Sequence, residues 1–154
     1  MRDGQDDGDA VFPAAMRLAS GDRLLVLAGA GTGADAGVPT FRDADGLWRD
    51  RRGEDLASVA AFRRDPDAVW EWYRARRLQV ARCEPHPGQR TLALLQQHFP
   101  LPKRVLVATT NEDDLLERAG VRPVLHLHGS LFDTRCGAGC GWQARDDDAN
   151  GLSF

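Results

Sequence analysis

Leu24 to Trp48 reads LLVLAGAGTGADAGVPTFRDADGLW, and the fold turns on how this stretch is understood. The apolar run Leu24-Leu25-Val26-Leu27 has the length and composition of a buried strand. It runs straight into Gly29-Ala30-Gly31-Thr32-Gly33, where glycines let the backbone turn sharply and let a ligand approach the main chain. Ala34-Asp35-Ala36 can start a short helix whose first N–H groups would face an anion. Strand, glycine turn and helix start together make a diphosphate cradle. Gly29-x-Gly31-x-x-Ala34 fits the loose dinucleotide pattern, which also occurs in strand-to-helix turns that bind nothing. An ordinary Rossmann unit would continue through a full helix to a second strand ending in an acidic residue. Here the chain goes through Gly37-Val38-Pro39-Thr40-Phe41-Arg42 to Gly46-Leu47-Trp48, a loop carrying a cation and aromatics, suited to cover a bound nucleotide.

Outward from this stretch, apolar periodicity predicts a first helix over Val11 to Ser20, with Phe12, Ala15, Met16 and Ala19 on one face. A helix is expected over Asp55 to Arg64. Asp65-Pro66-Asp67 then reads as a fresh start, with Asp65 as N-cap and Pro66 in the first turn of a helix reaching about Arg82. On it Tyr73 and Arg76 are three apart and share a face. A phenol and a guanidinium so placed suit a carboxylate, although exposed charge on an arginine-rich helix is the commoner meaning of that spacing. Gly88 to Phe99 reads as a helix, Val105 to Ala108 as a second buried strand and Asp114 to Ala119 as a short helix closed by Gly120. Val124 to His128 reads as a third strand running into Gly129. Strands alternating with helices predict an α/β protein with a Rossmann-like parallel sheet and helices on both faces. Thr109 to Asp113 follow the second strand, where open α/β sheets place ligand sites. His86 and His98 read as surface residues, and Cys83 as a packing residue.

Composition bounds the function. The chain has 154 residues, 42% hydrophobic and 28% charged, enough for one domain with a core. A net charge of −3 argues against a nucleic-acid-binding surface. No apolar run reaches the length of a membrane span. MRDGQDDGDA, residues 1–10, reads as a disordered acidic tail, and an odd number of cysteines fits a reducing, cytoplasmic setting. Oligomeric state is not legible.

Four motifs in one order resemble the sirtuins, the NAD-dependent protein lysine deacylases. They are GAG followed by AGVPTFR and GLW, then Thr109-Thr110-Asn111-Glu112-Asp113-Asp114-Leu115 with Glu117-Arg118-Ala119-Gly120, similar to the family's TQNID-x-L and RAG. Leu127-His128-Gly129-Ser130-Leu131-Phe132 is similar to the segment holding the catalytic histidine, and Thr134-Arg135-Cys136 to the start of the zinc module. The resemblance implies that Gly29, Ala30 and Gly31 cradle the diphosphate of NAD. It places Thr40, Phe41, Arg42 and Trp48 near the cofactor, and Thr110, Asn111 and Asp113 by the ribose and nicotinamide. His128 is implied as general base, with His126 a weaker candidate on the same strand. Tyr73 and Arg76 match the pair that marks the desuccinylase and demalonylase branch, and the partner implied is an acylated lysine of a protein substrate.

The chain departs from the family at Gly33, where serine is usual, at Thr110, where glutamine is usual, and at Leu116, where histidine is common. The largest departure is the metal module. Cys136 and Cys140 are separated by one residue more than the family's usual pair and no second pair follows, whereas structural zinc wants four ligands. The expected organisation is therefore a tail over 1–10, a partial NAD-binding domain over 11–135 and a remnant of the zinc module over 136–154. The fold is expected to be incomplete at its C-terminus, leaving an open edge beside Val105 to Ala108. Two other readings stay open. One is a non-catalytic remnant that binds NAD or acyl-lysine. The other is an ordinary NAD-dependent oxidoreductase, for which Asp45 and Asp50 stand at suitable distances but in a loop.

Overall fold

The computed structural model describes residues 23–39, 47–48, 51–99 and 105–145. The first helix, the acidic tail, Thr40, Phe41, Arg42, Asp45, Asp50, the side chain of Trp48 and residues 146–154 lie outside the described residues.

Strand β1 (Leu24–Ala28) leads into a five-residue helix α1 (Ala30–Ala34), as the glycine turn requires. Gly37, at φ 88°, closes that helix in a left-handed conformation that glycine adopts without strain. Its N–H bonds Ala34 O, and the N–H of Val38 bonds Gly33 O, so the chain leaves toward Pro39 along a fixed path.

A two-residue pairing, β2 (Leu47–Trp48) with β3 (Arg51–Arg52), precedes α2 (Gly53–Leu56) and α3 (Val59–Arg64). The single helix expected over Asp55 to Arg64 is broken at Ala57 and Ser58. The Ser58 hydroxyl accepts the N–H of Ala61, capping α3 and competing with helix continuation. Asp65 caps α4 (Pro66–Ala81) through the N–H of Ala68. Val69, Trp72, Arg77 and Val80 form its buried side.

Helix α5 (Pro87–His98) opens on His86, which the sequence placed at the surface. Its Nδ1 accepts the N–H of Gly88, while the Gln89 side chain accepts the N–H of His86. A proline in the first helical turn and this reciprocal capping fix the start. Strand β4 (Val105–Thr109), helix α6 (Leu115–Arg118) and strand β5 (Val124–His126) follow. An antiparallel pair, β6 (Asp133–Arg135) and β7 (Gln143–Arg145), ends the described chain.

The sheet is parallel, in the order β1-β4-β5. The strand expected to lose a neighbour, β4, is therefore central. Among the described residues the two unpaired edges facing away from β4 belong to β1 and β5. One sheet face packs against α5, α6 and Val121, with Ala28, Ala93, Val105, Val107 and Leu116 buried together. Burying each larger aliphatic side chain there contributes about 1.5–3 kcal/mol. The second face presents Leu25, Leu27, Leu106, Leu125 and Leu127, from 41% to 71% exposed. Two further clusters lie off the sheet: Val38, Val80, Leu115, Leu131 and Phe132, and Leu56, Ala61, Val69 and Trp72. Tyr73 packs against both.

Candidate active site

Register brings the site together. Ala28, Thr109 and His126 are aligned across the three strands, so their successors leave the sheet side by side. The N–H of Thr110 bonds Ala28 O at 3.1 Å and the N–H of Leu127 bonds Thr109 O at 2.8 Å. The glycine turn, the Thr110–Asp113 loop and the His128 loop thus emerge at one end, where a parallel sheet places its ligands.

Neutral hydrogen bonds hold the glycine turn. The Thr32 hydroxyl donates to Gly29 O at 2.8 Å and accepts Asn111 Nδ2 at 3.1 Å. Gln89, almost wholly buried on α5, donates to Thr32 O at 3.3 Å. The N–H of Asn111 bonds the Thr109 hydroxyl at 3.0 Å. A Cβ added at Gly31 would meet no atom within 4 Å, so the turn has open space before it. At Gly33 a Cβ would lie 3.3 Å from Asp113 Oδ2 and 3.5 Å from Asn111 Nδ2, so the absence of a side chain there lets the two loops close together. Asp113 is buried and accepts the N–H of Leu115 at 3.1 Å. Burial raises its pKa, against the Leu115 hydrogen bond and the His126 charge.

The second half of the site is a cleft of about 580 Å³, lined among others by Tyr73, Arg77, Glu112, His126, His128 and Leu131. Tyr73 meets Trp72 edge-on, with centroids 4.6 Å apart. Arg76 donates to Pro39 O at 3.2 Å and lies 6.0 Å from the Trp72 ring, a cation–π arrangement. The phenol and the guanidinium act on each other electrostatically. Burial pushes the Tyr73 pKa up, helped by Glu112 and opposed by Arg76. Arg77, 4% exposed, donates to Leu131 O at 2.6 Å and to the Thr134 hydroxyl at 3.2 Å, tying α4 to the loop beyond β5.

The third strand stops at His126, two residues earlier than expected, because Gly129, at φ 88°, turns the chain away. The two histidines consequently differ. His126 Nδ1 lies 2.9 Å from Asn111 O, and its Nε2 lies 2.7 Å from Glu117 Oε1. Both partners are acceptors, so the ring satisfies both only as the imidazolium. The hydrogen bond to Glu117 accordingly raises the His126 pKa, against burial. His128 is exposed and faces the cleft. His126 is spoken for structurally, whereas His128 stands where a ligand would be.

Cys136 and Cys140 face each other in the turn between β6 and β7. The Cys140 thiol, followed by backbone N–H groups of the turn, lowers the Cys136 pKa. Among the described residues no group of three His, Cys, Asp or Glu side chains could hold a metal ion. Two thiols fall short of the four-ligand set that structural zinc uses. Sequence reasoning missed Arg77, Glu112 and Gln89. Their partners lie far away along the chain, although Gln89 three residues after His86 was a legible capping signal.

A parallel sheet with a glycine turn and polar loops at its carboxyl end places the chain among Rossmann-like α/β proteins. It belongs to the Sir2 family, whose profile matches residues 29–152. An NAD-dependent protein deacylase 1 of Pseudomonas aeruginosa is 48% identical over 130 residues, 84% of this chain and 50% of that protein. The mitochondrial NAD-dependent protein deacylase sirtuin-5 of the dog, Canis lupus familiaris, is 44% identical over 125 residues, 80% of this chain and 40% of that one. The chain thus spans about half the length of the curated relatives it matches. A crystal structure of a Sir2 homologue bound to NAD superposes with a TM-score of 0.75 at 40% identity, covering 89% of this chain and 52% of that one.

Proposed function

We propose that this chain carries the substrate end of an NAD-dependent protein lysine deacylase, a machine that moves an acyl group from lysine to ADP-ribose and releases nicotinamide. The observation that carries the reading is the convergence of the open glycine turn, Asn111 and the His128 cleft at one end of the sheet. NAD, when bound, supplies an electrophilic ribose carbon, a leaving group and the acceptor for the acyl group. Gly29, Ala30 and Gly31 leave room for its diphosphate. Thr32 holds the Asn111 amide, and Asp113 is fixed by the Leu115 N–H, so both are pre-oriented for ribose and nicotinamide. Thr110 stands exposed between these loops. Tyr73 and the apolar wall beside it receive the acyl chain, and Arg76 supplies positive charge behind it. His128, exposed at the cleft, takes the proton that a ribose hydroxyl must lose, as a positioned imidazole base can. By the family resemblance, Thr40, Phe41, Arg42 and Trp48 are further cofactor contacts in this reading, and an acylated protein lysine is the partner. We place this chemistry in the cytoplasm; among the described residues no helix is long and apolar enough to cross a membrane.

The test is mass spectrometry of succinyl-lysine and acetyl-lysine peptides incubated with the chain, with and without NAD. Loss of the acyl mass only with NAD is expected. Unchanged peptides, from protein shown to be folded and to bind NAD, would leave a binding remnant.

A further inference from the structure

Position 112 is occupied by a carboxylate where the family segment TQNID carries an apolar isoleucine. The N–H of Leu131 bonds Glu112 O at 2.8 Å, which pins this residue between the two loops that wall the cleft. Its side chain is half-buried and lines the cleft together with Tyr73 and His128. Glu112 acts electrostatically on Tyr73 and on Arg76, and Arg76 and His128 act on it in return. The other charged groups around the same cleft are Arg77, which is committed to Leu131 O and Thr134, and Asp133, Arg135 and His126. Tyr73 therefore already shares its cleft with a carboxylate of the protein, and Arg76 feels that carboxylate's charge.

We propose that Glu112 is a specificity-determining residue, a built-in anion beside Tyr73 and Arg76 that turns the cleft away from acyl chains ending in a carboxylate and toward neutral ones. This rests on the deacylase reading and deepens it. Two carboxylates sharing one guanidinium repel, so an acidic acyl group enters only after Glu112 is neutralised or displaced. Selectivity here comes from a repulsive element rather than from a missing attractive one. Burial pushes the Glu112 carboxyl up and Arg76 draws it down, as expected of an acid held in a partly desolvated site beside its counter-charge.

The experiment titrates the full chain, in the presence of NAD, with succinyl-lysine and acetyl-lysine peptides, following tryptophan fluorescence, to which Trp70 at the cleft wall contributes. Glu112→Gln keeps the shape and removes the charge, and Glu112→Ile restores the family's apolar residue. Either variant is expected to tighten the succinyl peptide by roughly tenfold relative to the acetyl peptide, the scale of one nearby unit charge in a partly screened site. That gain should persist when Arg76→Met is added, since it comes from lost repulsion and not from a new attraction. An unchanged succinyl-to-acetyl ratio in both variants, with both peptides bound and melting curves intact, would overturn the role of Glu112 while leaving the deacylase reading in place. Failure of both peptides to bind the wild-type chain and every variant would overturn both.

Discussion

The glycine turn and the Tyr73 cleft lie at the same end of one sheet, yet different forces hold them. Around the turn, Thr32, Asn111, Gln89 and Gly29 are joined by neutral hydrogen bonds at 2.8 to 3.3 Å. Around the cleft, Arg76, Arg77, Glu112 and the His126–Glu117 pair bring charge into half-buried or buried positions. A neutral network loses a modest amount when one member is cut, because water or a neighbour replaces the bond. A desolvated charge that loses its partner is costly, so the cleft is both the more fragile region and the more tunable one.

The sharpest way to break that contrast is Arg77→Leu. It removes a buried guanidinium and strands Leu131 O and the Thr134 hydroxyl. A loss of about 3 kcal/mol is expected in urea unfolding, the range for groups left unsatisfied when a buried charge is deleted.

Next comes Glu117→Gln, at the junction of the two regions. The Glu117 bond raises the His126 pKa. Burial opposes ionisation of Glu117, and the hydrogen bond from His126 with the other local interactions outweighs it, leaving the pKa lowered. A raised histidine stabilises the fold below its unfolded value, about 6.5, and that contribution is lost as pH rises through the folded value. A lowered glutamate stabilises above about 4.3 and loses that contribution as pH falls through its folded value. The pair therefore contributes most between these limits. Glu117→Gln should cost about 1–2 kcal/mol near pH 6 and close to nothing at about pH 9, read as unfolding free energy against pH.

The smallest effect is expected in the turn. Thr32→Val removes the hydroxyl that links Gly29 O to Asn111 and should cost about 1 kcal/mol in stability. Because it frees the Asn111 amide, it should weaken NAD binding more than it lowers the melting temperature, which calorimetric titration beside a thermal melt would separate.

The same contrast explains what could be read in advance. The glycine turn, the Asp65-Pro66 helix start and the strand ending at Thr109 are written in residues close together along the chain, through propensity and capping. The cleft is written across distance. Arg77 stands in a run of arginines on α4 that reads as solvated, and only its partner 54 residues later shows that it is buried. Glu112 resembles any polar loop residue until α4 delivers Tyr73 and Arg76 beside it. Alternation of His126 and His128 predicts a longer β5, while the turn at Gly129 overrides that pattern. Chain order does not give sheet order, so the sequence points to an open edge at β4, which sits between β1 and β5.

Nicotinamide release from NAD in the presence of an acyl-lysine peptide tests the central claim most directly, with His128→Ala as control. Peptide-dependent release is expected from the wild-type chain, falling by about 10²–10⁴ in the variant as a general base is removed, with the fold intact. Release that is absent from the folded, NAD-bound wild type, or equal in the variant, would contradict the account.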